Sequence, residues 1–376
     1  MVMKQIYIDK SQFKKVTIIS AHEGSYSWVK TLSFMEKYIN LNYLTIISDA
    51  EYRSSNIVRR ILNKIFIYLV FPLKVLTKFR SIYKQDYIIV ITSPFYMPLL
   101  ASLIFKREKL LVLHNDLYPE GFSQVAFLNK IPFLFSFYKY LSGKLLQKIF
   151  KNIFISESHF RLREYLNKSI IHTPAVSREL SKTEYINNNS QKCNIGYFGT
   201  MGYNHCGIEF LHMLNNSELN FQAKFNFNVS GSLANKFKSL ALDYDHSFNS
   251  SSYLKVSGSL NENDYHDAMS NTDFGLILLN PHGGDAVFPS KFSAHLSYGH
   301  PVILISDQRN DLHEFVVKNS IGISIDLSKN NLNDLNDYIS NINYTALRKN
   351  SLFVYEKYFH YENIGKAFLK EMNLDD

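Results

Sequence analysis

The sequence predicts an α/β protein made of two Rossmann-like, doubly wound domains, and three observations carry that expectation. Short β-branched runs alternate with longer amphipathic segments along most of the chain. The alternation is interrupted once by a polar stretch and then restarts. At 376 residues and 46% apolar content the chain is long enough to bury two cores.

The first series of strands is expected at 15–20, 43–48, 87–92, 109–114, 152–156 and 169–172, each a few Val, Ile, Leu or aromatic residues bounded by polar ones. The gaps between them are filled by helices. Residues 177–192 include three consecutive Asn and offer little to bury, so a linker is placed there. A second series follows at 194–198, 224–230, 253–256, 273–279, 301–305 and 321–325. The expected domains are therefore 1–176 and 193–344. Two such sheets would present their carboxyl ends, where ligands of open α/β sheets bind, to a shared cleft.

Charge divides the chain in the same way. Residues 1–170 hold 25 Lys and Arg against 11 Asp and Glu, whereas the remainder holds 16 against 22. Residues 53–84 carry eight basic and no acidic side chains, and 121–156 carry five Lys and no acid, both among many Phe, Tyr, Leu and Ile. Basic character mixed with long aliphatic and aromatic faces fits an interfacial helix on anionic lipid better than a nucleic-acid surface. The only cysteines, Cys193 and Cys206, are too few for a disulfide framework or a structural zinc site, which points to a reducing cytoplasm. The first twenty residues lack the uninterrupted apolar core of an export signal. The apolar run from Ile65 to Leu73 is closed by Lys64 and Lys74 and is too short to span a bilayer. A soluble or peripheral protein is expected.

Two segments carry most of the chemistry. In Asn194-Ile-Gly-Tyr-Phe-Gly-Thr-Met-Gly202 a strand runs into a glycine loop before a helix from about Cys206. Such a turn lets backbone amides at Gly199, Thr200, Met201 and Gly202 approach a phosphate, although the same spacing serves an ordinary tight βα turn. In the second segment, Gly283 and Gly284 lead through Asp285 and Phe288 to Pro289 and Ser290, which suit the start of a helix that ends at Gly299. Lys291 then falls in the first turn, where a cation opposes the helix dipole unless an anion docks there.

The N-terminal half offers His22-Glu-Gly-Ser-Tyr26 after the first strand, where Gly24 would permit close approach of a donor or acceptor. His114, Asn115 and Asp116 stand at the carboxyl end of strand 109–114. Asp116 could act as a base or orient an acceptor hydroxyl, and equally suits a turn before Leu-Tyr-Pro.

Taken together, these segments resemble the bacterial family-4 glycosyltransferases, the GT-B enzymes of capsule, O-antigen and exopolysaccharide assembly. The resemblance rests on the Gly196–Gly202 loop, Thr272-Asp-Phe-Gly-Leu-Ile-Leu-Leu279, Pro289-Ser-Lys291 with Gly299-His-Pro-Val302, and His114-Asn-Asp-Leu-Tyr-Pro-Glu120. It implies a GT-B fold whose last helix, about 345–376, returns to the N-terminal domain. It also implies transfer of a sugar, as in hexosyltransferases, from a nucleotide-sugar donor, expected to be UDP-linked, to a glycan or polyprenyl-diphosphate-linked acceptor at the inner face of the cytoplasmic membrane. The catalytic residues expected are His114, Asp116 and Lys291. The donor would be held by Gly24, Gly199–Gly202, Gly258, Ser259, Asp285, Phe288, Pro289, Ser290 and Lys291, with the base near Ser257–Leu260 and Tyr265 close by. No tightly bound cofactor and no essential metal are expected if Lys291 and its helix neutralise the leaving diphosphate. The sequence departs from the family where two glutamates eight positions apart are usual, since Ala286 and Ala294 stand there. Retaining and inverting chemistry both stay open.

Other classes are weaker. Asp243-Tyr-Asp245 matches the carboxylate pair of metal-dependent transferases, but its polar surroundings read as a solvated loop. A catalytically degenerate binding or scaffold subunit is favoured only by the missing glutamates.

Overall fold

A computed structural model describes residues 12–23, 26–48, 51, 57–118, 120, 132–161, 163, 165–175, 192–245, 253–280, 288–307 and 310–374. They form two compact units, one drawn from Met1–Tyr118, Pro132–Pro174 and Tyr361–Asp376, the other built chiefly on Ala175–His360. The expected linker 177–192 lies outside the described residues except for Lys192, which opens a strand.

Each unit contains a six-stranded, wholly parallel sheet. The first comprises β1 (Lys15–Ile19), β2 (Asn40–Leu44), β3 (Tyr87–Ile91), β4 (Leu110–His114), β5 (Lys151–Phe154) and β6 (Lys168–Ile170), in the order β2-β1-β3-β4-β5-β6. The second comprises β7 (Lys192–Thr200), β8 (Gln222–Ser230), β9 (Tyr253–Ser257), β10 (Phe274–Leu278), β11 (Val302–Ser306) and β12 (Gly322–Asp326), in the order β12-β11-β10-β7-β8-β9. Strands β4, β10 and β11 are buried at every position, as sheets covered on both faces require. With helices flanking both sheets, the architecture is that of the GT-B fold.

Two elements differ from the sequence reading. The second strand lies at Asn40–Leu44 and not at 43–48, in register with β1 from Lys15↔Asn40 to Ile19↔Leu44. It is an edge strand, half-exposed along its length, so the polar Asn40 and Asn42 are tolerated, and the more apolar residues after it continue only as the isolated bridge His22↔Ile47. The single closing helix expected over 345–376 is two helices, Tyr344–Tyr358 and Tyr361–Glu371. The break falls where Phe359 is drawn into the core of the second unit with Tyr355, and where the Phe359 carbonyl accepts from the Ala175 N–H at 2.9 Å. Tyr361–Glu371 packs on the helix Tyr26–Met35 of the first unit: Phe368 meets Trp28 edge-on at 5.8 Å, and a Cβ at Gly365 would stand 2.5 Å from Phe34.

Candidate functional site

In the second sheet the chain runs outward from β7 to β9 and then returns to β10 on the other side of β7. The connections leaving β7 and β10 therefore diverge, and the crevice at their carboxyl ends is the switch point where open α/β sheets bind ligands. The two connections are joined there by a hydrogen bond from the Asn280 N–H to the Asn204 carbonyl at 2.9 Å.

The helix Ser290–Ser297 follows β10 and starts where the Pro-Ser pair placed it, but with Pro289 as N-cap and no side-chain cap. It ends in a Schellman motif: Gly299 has φ +74°, its N–H bonds the Leu296 carbonyl at 2.9 Å, and the His300 N–H bonds the His295 carbonyl at 3.1 Å. The helix lies tight on the sheet because Gly275 in β10 has no side chain; a Cβ there would meet His295 Cγ at 2.3 Å. Phe292, His295 and Leu296 are buried beneath it. Lys291 is thus held on a rigid first turn.

Its amine reaches back to the β7 connection. Nζ lies 2.9 Å from Tyr197 Oη, 2.9 Å from His205 Nε2, 3.3 Å from the Thr200 carbonyl and 4.4 Å from the centre of the Tyr197 ring. Tyr197 is a buried core residue whose hydroxyl donates to the Thr200 carbonyl at 2.7 Å. His205 Nδ1 accepts from the Gly202 N–H at 3.2 Å. Lys291 is half-buried, and no carboxylate among the described residues pairs with it. Desolvation lowers its pKa to about 7. His205 is held down to about 3, first by desolvation and then by the lysine. Sequence reasoning missed Tyr197, which reads as an ordinary inward strand residue, and His205, whose only signal is its place between the glycine loop and the next helix.

The glycine loop is more committed than its sequence indicates. Gly199 has φ +134°, a conformation that favours glycine, and Gly199 and Thr200 are exposed. Met201 is buried, its N–H bonds the Ser230 carbonyl at 2.7 Å, and the Gly202 N–H goes to His205. Two of the amides expected to meet phosphate therefore already have internal partners.

Gly258 and Ser259 are exposed just after β9, beside a Ser257 hydroxyl that accepts from Asn228 Nδ2 at 2.7 Å. Tyr265 packs edge-on to Phe198 at 6.0 Å in a cluster with Met269, Tyr298 and Ala294. Phe288 stacks on Phe359 at 6.1 Å, and Pro289 is buried. Gly24 and Asp285 lie outside the described residues. Asp243 stands on the last turn of the helix Ala234–Asp245, not in the solvated loop expected for it.

In the first unit, His114, expected from the sequence to be catalytic, sits in a closed side-chain network. The ring is buried at the end of β4, stacked on Phe154 at 4.6 Å, with Nε2 3.0 Å from Asn152 Oδ1. Asn152 in turn donates to the Leu146 carbonyl at 2.8 Å. Desolvation pushes the His114 pKa down to about 3, so the ring is neutral and its Nε2–H is committed to Asn152. Asp116, two residues on, is exposed, and desolvation by the surrounding protein raises its carboxyl pKa, an effect that solvent moderates at an accessible position.

The class defined by these features is a GT-B protein with a half-buried lysine at the switch point of its second sheet. No family model and no curated protein sequence matches the chain, but solved structures do. HepE from Anabaena, in complex with UDP and glucose, superposes with a TM-score of 0.61 at 12% identity, covering 96% of this chain and 99% of that one. Sucrose-phosphate synthase from Thermosynechococcus elongatus gives 0.65 at 11% identity over 95% and 98%. The N-terminal domain of Candida albicans trehalose-6-phosphate phosphatase gives 0.65 at 11% over 98% and 98%. At these identities the likeness establishes the fold, and function has to be argued from the site.

Proposed function

We propose that the chain is a glycosyltransferase that uses a nucleotide-sugar donor, with UDP as the nucleotide. The observation that carries this reading is Lys291: a lysine with no carboxylate partner among the described residues, in the first turn of a helix at a sheet switch point. A diphosphate docked there gains the helix N-terminus and a charge-assisted hydrogen bond, both favourable to a leaving group whose charge grows in the transition state. HepE, which carries UDP and glucose, supports the choice of nucleotide. Gly258 and Ser259 are proposed to flank the base, and the exposed Asp116 to orient or deprotonate the acceptor hydroxyl.

The acceptor is proposed to be a glycan or polyprenyl-diphosphate-linked glycan met at an anionic membrane surface. No helix of the described residues is long and apolar enough to cross a membrane. The helix Ile57–Ile65, the π-helical turn Phe66–Val70 and the helix Phe71–Thr77 expose Ile61, Leu62, Phe66, Leu69 and Leu73 alongside Arg59 and Lys64. The helix Pro132–Leu146 exposes Phe133, Phe137 and Tyr140 with Lys139. Basic side chains add roughly 1 kcal/mol each near an anionic leaflet, and the apolar ones insert.

One observation favours a second reading, a catalytically silent binding subunit. Ala294 packs into the Phe198–Met269–Tyr298 cluster, where it offers no carboxylate to a ribose. Calorimetric binding of a nucleotide panel together with turnover of UDP-sugars separates the two: both readings bind nucleotide, and only the first releases UDP from a donor. Absence of nucleotide binding would refute both.

A further inference from the structure

We infer that His205 and Lys291 form a proton-coupled pair, in which the unliganded lysine rests as a neutral amine against the imidazole and a docking diphosphate is bound together with one proton from solvent. The inference rests on the proposed donor site and adds a proton to its binding reaction.

The hydrogen-bond directions lead to it. The Gly202 N–H points at His205 Nδ1 at 3.2 Å, so Nδ1 must present a lone pair and the proton of the neutral ring sits on Nε2. Nε2 stands 2.9 Å from Lys291 Nζ. An Nε2–H facing that nitrogen needs a lone pair on it, which an ammonium lacks. The Tyr197 hydroxyl gives its hydrogen to the Thr200 carbonyl at 2.7 Å, so its oxygen accepts from Nζ at 2.9 Å, while the Thr200 carbonyl also accepts from Nζ at 3.3 Å. A neutral amine has two N–H donors and one lone pair, matching two acceptors and one donor. An ammonium would set one N–H against the Nε2–H, or force the other tautomer and set Nδ1–H against the Gly202 amide.

The surroundings agree. Tyr197 on β7 has its pKa raised by burial, as does Cys206 beside His205, so both are neutral. Glu209, exposed in the first turn of the helix Gly207–Asn215, acts on the Cys206 thiol. His295, one turn along from Lys291, is buried and neutral, its pKa held near 3. Burial likewise drives Lys291 and His205 toward their neutral forms. A diphosphate reverses the balance at Nζ, because adjacent negative charge favours the ammonium. The amine takes one proton from solvent, R–NH2 + H⁺ → R–NH3⁺, and turns to the phosphate, which frees the His205 Nε2–H as a second donor.

Two measurements on the full chain test this. In the ligand-free protein labelled with carbon-13 at lysine Cε, the signal that disappears in Lys291→Met should titrate near neutrality. It should move up by about one pH unit in His205→Phe, which removes one hydrogen bond to the neutral amine, and stay near neutral in His205→Gln, which keeps an N–H donor. A Lys291 signal that titrates only in the ordinary lysine range, about 10.4, overturns the inference. Calorimetry of UDP binding at about pH 8, in two buffers of different ionisation heat, should show uptake approaching one proton per UDP, falling toward zero about two pH units lower and absent in Lys291→Met. Binding without proton uptake overturns the inference as well. If UDP does not bind at all, the donor-site reading fails, and the lysine titration still decides the resting state of the pair.

Discussion

Replacing Lys291 by Met removes the amine and keeps an unbranched chain of similar length, so it isolates the charge from the packing. The variant loses the charge-assisted hydrogen bond to a docked diphosphate, worth about 1.5–3 kcal/mol, or roughly ten- to 150-fold in UDP affinity. The fold should lose little. Tyr197 and the Thr200 carbonyl keep their own hydrogen bond, so the main loss is the acceptor for His205 Nε2–H, and removing a desolvated amine offsets it. A net change within about 1 kcal/mol, a shift of at most about 4 °C in Tm for a domain of this size, is expected. With a turned-over donor, kcat/KM should fall at least as far as affinity and partly through kcat, since leaving-group charge grows in the transition state. Calorimetry with UDP at about pH 6.5, where wild-type Lys291 is substantially protonated, gives the affinity, and a coupled assay of UDP release gives the kinetics. A folded Lys291→Met protein that binds UDP as tightly as wild type would refute the reasoning and place the diphosphate elsewhere.

Other outcomes follow from the same geometry. Because the fold lowers the Lys291 pKa, the unfolded chain binds more protons than the native one between about pH 7 and the ordinary lysine range; the stability of wild type relative to Lys291→Met should therefore rise with pH through that window, and parallel urea midpoints at pH 7 and 9 would contradict it. Gly275→Ala sets a Cβ 2.3 Å from His295 Cγ, so it should destabilise by about 1–3 kcal/mol and weaken UDP binding as the helix Ser290–Ser297 shifts; unchanged thermal unfolding would show that the contact relaxes freely. Asn152→Ala strips His114 of its acceptor inside the first unit and should cost about 1–3 kcal/mol with UDP affinity intact, whereas loss of affinity in a stable protein would mean that this network serves the donor site. Flotation with anionic liposomes at low salt should recover the wild type and much less of an Ile61→Asp, Leu69→Asp protein; equal recovery with neutral liposomes would remove the lipid-surface proposal.

By itself the sequence determined the local grammar. Twelve strands, the Pro289–Ser290 helix start, the Gly299 stop and the first-turn position of Lys291 were legible because they depend on side-chain periodicity and on backbone preferences within a few residues. Even there, β2 slid toward Asn40, since the register with β1, and not apolarity alone, sets where an edge strand begins. The closing helix broke at Phe359 because a distant core drew that ring inward. Only the tertiary structure decided what the candidate groups can do. Lys291 meets Tyr197 and His205, 94 and 86 residues away, through the parallel pairing of β7 with β10, and no local pattern encodes that meeting. His114 reads as an available imidazole beside a turn until Asn152, 38 residues on, takes its Nε2–H. A residue's type and spacing fix which protons it can carry; which of those protons it does carry is set by burial and by partners that sheet register brings from far along the chain.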